Sequence, residues 1–355
     1  MAQTLLGKIT HFQESHPVAV VLIFTFLTMA MIPGMGKIDT VVALENMMPA
    51  SSEPVQKFNQ LRAQGLGKDT IAVNVHAGVG EEGVESITSN RSKQYIRGLQ
   101  NRIQDIYGVE TVYSPLRQES LIDRDKSNAV IIAYTYVGDD GSEMDRIFSE
   151  IKEEASYNRP KGIETSISGV PAVQQRLVEM VQRDKNVTTM ISLVLVFLIT
   201  WLLFRGSLSA ALMPLIVVAL SVTWLYGTMG YMGIPLSTLA GSVAALIIGI
   251  GIAYAIHIGN IYRFNRRDRT VEESLVDAMD DIGVSIIASA VTTISAFLAF
   301  LVGMMPEMHR FGLIMSLGIG YAVMFTILLL PSVFVLEEKA MAKIHQSLSW
   351  REEFP

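Results

Sequence analysis

The chain predicts a multi-pass α-helical membrane protein, with six transmembrane helices and one α+β domain outside the bilayer. Three observations carry this. Half of the 355 residues are hydrophobic and only 17% are charged. The apolar residues gather in six long runs, and about 18 of them suffice for a helix to cross the hydrocarbon core. Most acids and bases fall instead between about residues 38 and 180, where strand and helix periods alternate as in a soluble domain.

Each element follows in chain order. Residues 1–15 carry Leu5, Leu6, Ile9 and Phe12 at helical spacing, which suits an amphipathic helix on the membrane surface. The first span occupies 16–37, with its apolar run from Pro17 to Ile32. The Pro-Gly-Met-Gly-Lys that follows holds no small-residue cleavage site, so a retained helix is expected rather than a signal peptide. Residues 38–182 form the outer domain. Thr70–His76, Val109–Tyr113, Ala129–Val137 and Ile163–Ser168 read as strands, and Ser92–Ile106 and Glu143–Tyr157 as helices. The order is βαβ then βαβ, the split pattern of a ferredoxin-like domain with both helices on one sheet face. Gly169-Val170-Pro171 and a helical run to Asp184 lead into the second span, either as a plain connector or as a rod that transmits movement.

Five further spans lie within 183–338, at roughly 187–204, 208–229, 237–258, 284–304 and 311–336. Arg205-Gly206-Ser207 turns the second into the third. The loop Asn260–Gly283 carries Arg263, Arg266, Arg267 and Arg269, then a polar helix from Val271 to Met279. Residues 339–355 form a tail. Arg205, the arginine cluster, Lys339 and Lys343 all fall on one side of six spans, against Arg310 on the other. The positive-inside rule puts both termini and the arginine loop in the cytoplasm and the large domain outside. Trp224, Tyr226 and Tyr231 near the outer end of the third span suit an aromatic belt.

Composition also excludes. There is no cysteine, hence no disulfide, thiolate metal site or cysteine nucleophile. The net charge of −6 gives no reason to expect nucleic acid as a partner. No phosphate-cradling glycine loop precedes a Lys-Ser/Thr pair, and no His/Asp spacing suits a metal. Neither catalytic residues, a metal site nor a cofactor is expected, and the chain does not read as an enzyme. No internal repeat appears. Transporters built from two related halves work at the interface between them, so a single half suggests a homodimer.

Chemistry, if present, belongs to the fourth and fifth spans. Ser242, Gly249, Ala253 and His257 recur near helical spacing, and Gly249-xxx-Ala253 would let another helix approach closely. Gly251 is a further packing glycine. The fifth span offers Ser285, Ser289, Thr292, Thr293 and Ala296, and the sixth a small ridge of Gly312, Ser316 and Gly320. These small residues read as helix packing or as a weakly polar path. His257 is an ionisable group inside a span and a functional candidate by default, but it also lies near the cytoplasmic end, within reach of interfacial water. The hydroxyl of Tyr254 needs a partner too. No Asp, Glu or Lys occurs between Val187 and Ile258, or between Val284 and Met305. A carboxylate proton relay cannot be built in the membrane core from this chain.

Residues 249–258, Gly-Ile-Gly-Ile-Ala-Tyr-Ala-Ile-His-Ile, resemble the fourth-helix motif of the RND superfamily of membrane transporters. Tyr262-Arg263 follows as it does there. Gly169-Val170-Pro171 is similar to the family's Gly-x-Pro, and Thr292-Thr293 with Ala296-Phe297 to its fifth-helix pattern. Phe311-Gly312 and Leu330-Pro331 resemble the start and end of its sixth helix. The likeness covers almost the whole chain and is to one half of hydrophobe/amphiphile exporters, mycobacterial large membrane proteins and sterol-sensing-domain proteins.

That resemblance implies a prokaryotic cell (inner) membrane and a hydrophobic or amphipathic substrate, most naturally lipid, passing along the outer domain. It implies a fourth-helix Asp that drives the cycle by protonation. Ala253 stands at that position and cannot titrate. Tyr254, Thr292 and Thr293 carry over as neighbours of the relay site. Three readings stay open: a homodimeric lipid transporter with altered coupling through His257, a non-pumping lipid sensor or scaffold, and a subunit that needs a different membrane partner to supply the carboxylate.

Overall fold

The computed structural model describes residues 5–40, 69–78, 86–135, 141–237 and 239–352, with a few positions between 52 and 60. It divides into two compact units, Val42–Met180 and the remainder, Met1–Val41 with Val181–Pro355.

The first unit holds a four-stranded antiparallel sheet. Its strands are β1 (Asp69–Ala77), β2 (Val109–Tyr113), β3 (Asn128–Thr135) and β4 (Ile163–Gly169). Their order is β2-β3-β1-β4. One helix, Asn90–Gln104, joins β1 to β2 and another, Gly141–Ser156, joins β3 to β4. Alternation builds the core. Ile71, Val73 and Val75 of β1 point inward and pack with Ile131 of β3, Leu99 and Ile103 of the first helix and Ile147 and Ile151 of the second. The centre of β1 pairs Val73 with Ile131 on one side and with Ile167 on the other. Arg102 Nε donates to Glu154 across the two helices at 2.6 Å. Ser89 caps the first helix by accepting from Ser92 N at 3.2 Å. The expected strand Ala129–Val137 is found as Asn128–Thr135, and Tyr136 and Val137 lie outside the described residues.

Gly169 ends β4 with φ +126°, and a β-carbon there would run into the carbonyl oxygen of Thr70. Glycine is therefore required where the sheet hands over to the next helix. That helix, Val170–Leu203, begins with Pro171 in its first turn, where its missing N–H costs nothing.

The helices are numbered α1 (Leu5–Ser15), α2 (Pro17–Met35), α3 (Asn90–Gln104), α4 (Gly141–Ser156), α5 (Val170–Leu203), α6 (Leu208–Met232), α7 (Val243–Asn265), α8 (Val271–Leu298), α9 (Pro306–Leu328) and α10 (Leu330–Glu352). Among the described residues, six stretches are long and apolar enough to cross a membrane: Pro17–Met35, Ala172–Leu203, Leu208–Met232, Ala240–Asn265, Val271–Val302 and Pro306–Leu328. The chain is a multi-pass membrane protein.

The interior of this second unit is built by α6, α7 and α9. Trp224 of α6 and Phe325 of α9 meet edge to face at 5.0 Å, and Phe24 of α2 lies 5.3 Å from Phe325. The Trp224 indole N–H donates to Thr28 Oγ1 at 2.9 Å, and the hydroxyls of Thr228 and Tyr321 bond at 2.8 Å. Trp224 and Tyr226 are thus buried rather than belt residues. Tyr231 alone of the three is half exposed, and its hydroxyl donates to the Ala30 carbonyl at 2.7 Å.

Three other expectations change. The amphipathic face of α1 is not the one the periodicity favours, because Leu5 and Phe12 are exposed while Leu6, Thr10 and Gln13 are buried. Leu6 sits against Gly283 of α8. Gln13 Nε2 donates to the carbonyls of Ile327 at 3.0 Å and Leu328 at 2.8 Å. Pro331 has no N–H to offer the Ile327 carbonyl four residues back, so the helix breaks at Leu329 and Gln13 supplies the missing donor. The sixth span therefore ends at Leu328, not 336, and a separate α10 follows into the expected tail. The polar helix from Val271 and the fifth span are one helix, α8, started by a capping box between Thr270 and Glu273.

Candidate functional site

The residues singled out on α7 divide by face. Ile247, Ile248, Gly251, Tyr254, Ala255 and Ile258 are buried. Leu246, Gly249, Ala253, His257 and Asn260 are exposed, one step of three or four apart. They form a stripe that the described residues leave uncovered. A β-carbon on Gly249 would meet nothing within 4 Å. Among the described residues the His257 ring has no hydrogen-bond partner. Tyr254, three residues before His257, turns into the bundle instead, with 6% of its surface exposed.

Helix α8 packs beside α7 and is open in the same manner. Ser285, Ser289, Thr292 and Ala296 are exposed and Thr293 is half-buried. The threonine hydroxyls do not reach out. Thr292 and Thr293 both donate to the Ser289 carbonyl at 2.8 Å, and Ser295 donates to Val291 at 2.8 Å. The α7–α8 surface is therefore small, weakly polar and uncharged, with the His257 ring as its ionisable group.

The expected packing glycines also separate. Gly251 is used, since a β-carbon there would come within 3.0 Å of the Ala322 side chain. Gly312 lies against the Phe297 carbonyl of α8, and Ser316 Oγ donates to the Gly312 carbonyl at 2.7 Å. Gly249 and Gly320, expected to admit a neighbouring helix, border open space because their faces turn away from the other helices of this chain. Gly318 is the contact that the sequence did not disclose, with Ile247 of α7 seated directly on it.

The arginine cluster is more structured than a topology signal. Arg266 donates to Glu338 through Nε at 3.0 Å and a terminal nitrogen at 3.3 Å, and the Tyr262 hydroxyl donates to the same carboxylate at 3.1 Å. Arg263 pairs with Glu337 at 3.4 Å, and Arg269 pairs with Asp277. The end of α7 is thereby tied to α10. The sequence signal was available, because an acidic pair follows an apolar run on the side expected to carry the arginines.

A model of the MMPL family matches residues 46–353. A membrane protein of Methanocaldococcus jannaschii is 26% identical over 371 aligned residues, spanning 96% of this chain and 95% of that protein. Membrane protein YdfJ of Bacillus subtilis is 25% identical over 282 residues, 78% of this chain and 37% of its own length. The hopanoid transporter HpnN of Burkholderia multivorans is 23% identical over 198 residues, 55% of this chain and 22% of its own length. The chain thus spans nearly all of the first relative and well under half of the other two.

Proposed function

Because the chain belongs to the MMPL family of the RND superfamily, we propose that it moves hydrophobic or amphipathic molecules, lipids foremost, as a homodimer. The similarity to a hopanoid transporter supports that substrate class. The observation that carries the dimer is the uncovered stripe of Leu246, Gly249, Ala253 and His257 on α7, beside Ser289 and Thr292 on α8. A two-fold dimer buries one patch against its own copy, and Gly249 and Ala253 let two helices approach. Thr292 and Thr293 stand in the neighbourhood of the relay position by resemblance, while Tyr254 backs it from inside the bundle.

Ala253 holds no proton, so coupling falls to the His257 imidazole, which can both accept and donate one. Both termini and the Arg263–Arg269 loop face the cytoplasm of a prokaryotic cell and the sheet unit lies outside its inner membrane. The strand order β2-β3-β1-β4 supports taking that unit as a ferredoxin-like porter domain.

The test is reconstitution of the purified chain in liposomes that carry a fluorescent lipid, with an imposed pH gradient. Net lipid movement that follows the gradient is expected, and His257→Ala should slow it about tenfold or more. Movement indifferent to both the gradient and the substitution removes the histidine relay. The absence of a carboxylate from the α7 stripe favours a second reading, a lipid-binding sensor that switches because its ligand prefers one conformation. Binding without net movement would replace the first reading with that one.

A further inference from the structure

Hydroxyl groups inside the spans of this protein are generally bonded to their own helix. Thr188 donates to the Asp184 carbonyl at 2.6 Å, Thr200 to Val196 at 2.9 Å, Ser221 to Val217 at 2.8 Å and Thr223 to Ala219 at 2.9 Å. Two hydroxyls break the habit where α5 meets α6. Tyr226 of α6 is 6% exposed, and its buried hydroxyl has no partner among the described residues. Thr189 of α5 likewise has a buried hydroxyl that no described residue partners.

Lys185 stands one helical turn before Thr189 on the same face of α5. Its ammonium lies 5.6 Å from the centre of the Tyr226 ring, and among the described residues no carboxylate pairs with it. One turn earlier again, Val181 packs against Gly241 at the start of the fourth span, which aims this face of α5 inward. An unpaired lysine at a membrane edge ordinarily snorkels into water. Lys185 is instead half-buried over an aromatic face.

A buried hydrogen-bonding group left without a partner forfeits the bonds it would make to water. Two such hydroxyls, one on the face of α5 that carries Lys185 and one on the tyrosine whose ring Lys185 covers, call for a ligand. An ammonium and two hydroxyls can all donate, and their common acceptor is an oxyanion. Lys185 is also the last charged residue before the apolar run that begins at Val187, which is the depth of a lipid headgroup.

We propose that Lys185, Thr189 and Tyr226 form a binding site for a phosphate or carboxylate oxyanion, carried by the headgroup of an anionic amphiphile. The site deepens the transporter reading by naming the charge class of the substrate. It is tested by binding alone, so the two can fail separately.

The delipidated full chain in detergent is titrated with phosphatidylglycerol, with phosphate-free diacylglycerol and with inorganic phosphate, and bound ligand is counted by native mass spectrometry. Phosphatidylglycerol should bind at least about tenfold more tightly than diacylglycerol, a difference of about 1.4 kcal/mol. Lys185→Gln and Tyr226→Phe should each weaken it about tenfold, whereas Lys185→Arg keeps the charge and most of the binding. Arg183→Gln, an exposed charge on the same helix, should leave it unchanged. Competition by millimolar inorganic phosphate supports the oxyanion chemistry and assigns its source to a soluble anion. Equal binding of the two lipids, or phosphatidylglycerol binding that ignores both weakening variants, overturns the site. A chain that binds in this way yet moves no lipid keeps the site and loses the transporter reading.

Discussion

A β-carbon added to Gly230 of α6 would overlap the carbonyl oxygen of Gly34 in α2. Gly227, one turn before Gly230, faces the Met31 carbonyl oxygen, which a β-carbon would approach to 2.6 Å. The two helices cross backbone to backbone, as glycine permits in a bilayer where no hydrophobic force drives helices together. Gly230→Ala should therefore lower stability by about 1–3 kcal/mol through overpacking. Thermal unfolding in detergent reads this, and an unfolding temperature equal to that of the parent would contradict the crossing.

Gly249→Ala is expected to act in the opposite direction. Its surroundings are open, so the added methyl should gain about 0.5–1 kcal/mol of helix stability. If the α7 stripe is where two copies meet, the same substitution weakens the dimer. Unfolding temperature and the mass of the detergent-solubilised assembly separate the two effects.

Ala253→Asp should restore a titratable group to that stripe. Lipid movement in liposomes should then become steeper in its dependence on the proton gradient, with Ala253→Asn, which cannot titrate, as the control. Identical rates for both variants would detach position 253 from coupling.

Gln13→Leu keeps the size of the side chain and removes the donor to Ile327 and Leu328. About 1–3 kcal/mol should be lost, and amide exchange should rise at the α9–α10 break. Unchanged exchange there would mean that other donors cover those carbonyls.

Asp123 accepts from the backbone N–H of Ser127 at 2.9 Å and of Asn128 at 3.0 Å, and from both of their side chains at 2.8 Å. These bonds, led by the Asn128 side chain, hold its pKa at about 2 against the ordinary 3.8. A carboxylate depressed by folding contributes stability above its unfolded pKa and loses it as pH falls through the folded one. The window runs from 3.8 down to about 2. The parent should lose more stability than Asp123→Asn when acidified from pH 7 to pH 3, measured as the shift in unfolding temperature. Equal shifts would remove Asp123 from the acid response.

What could be read beforehand depended on whether a periodicity has one cause. Ile71, Val73 and Val75 alternate because one sheet face is buried, so β1 was visible to within a residue or so. Apolar length alone finds the spans. It says nothing about which side of a span meets another helix, since lipid and protein are equally apolar. That is why Trp224 reads as a belt residue, Gly318 escapes notice and nothing marks Gly249 as uncovered by the other described helices. The buried face of α1 departs from its periodicity for a related reason. Gln13 is polar and breaks the apolar stripe, yet it is buried because Pro331 leaves a carbonyl without a donor more than three hundred residues away. Lys185 was hidden by its place just ahead of an apolar run, where a lysine usually needs no explanation.

The bond from Gln13 to Ile327 joins positions 314 apart in sequence. During synthesis the first helix is made long before its acceptors exist, and such distant pairings form late. Docking of α1 is therefore completed late, and a ribosome-bound chain truncated ahead of residue 327 would hold that helix against α8 but not at its Gln13 end.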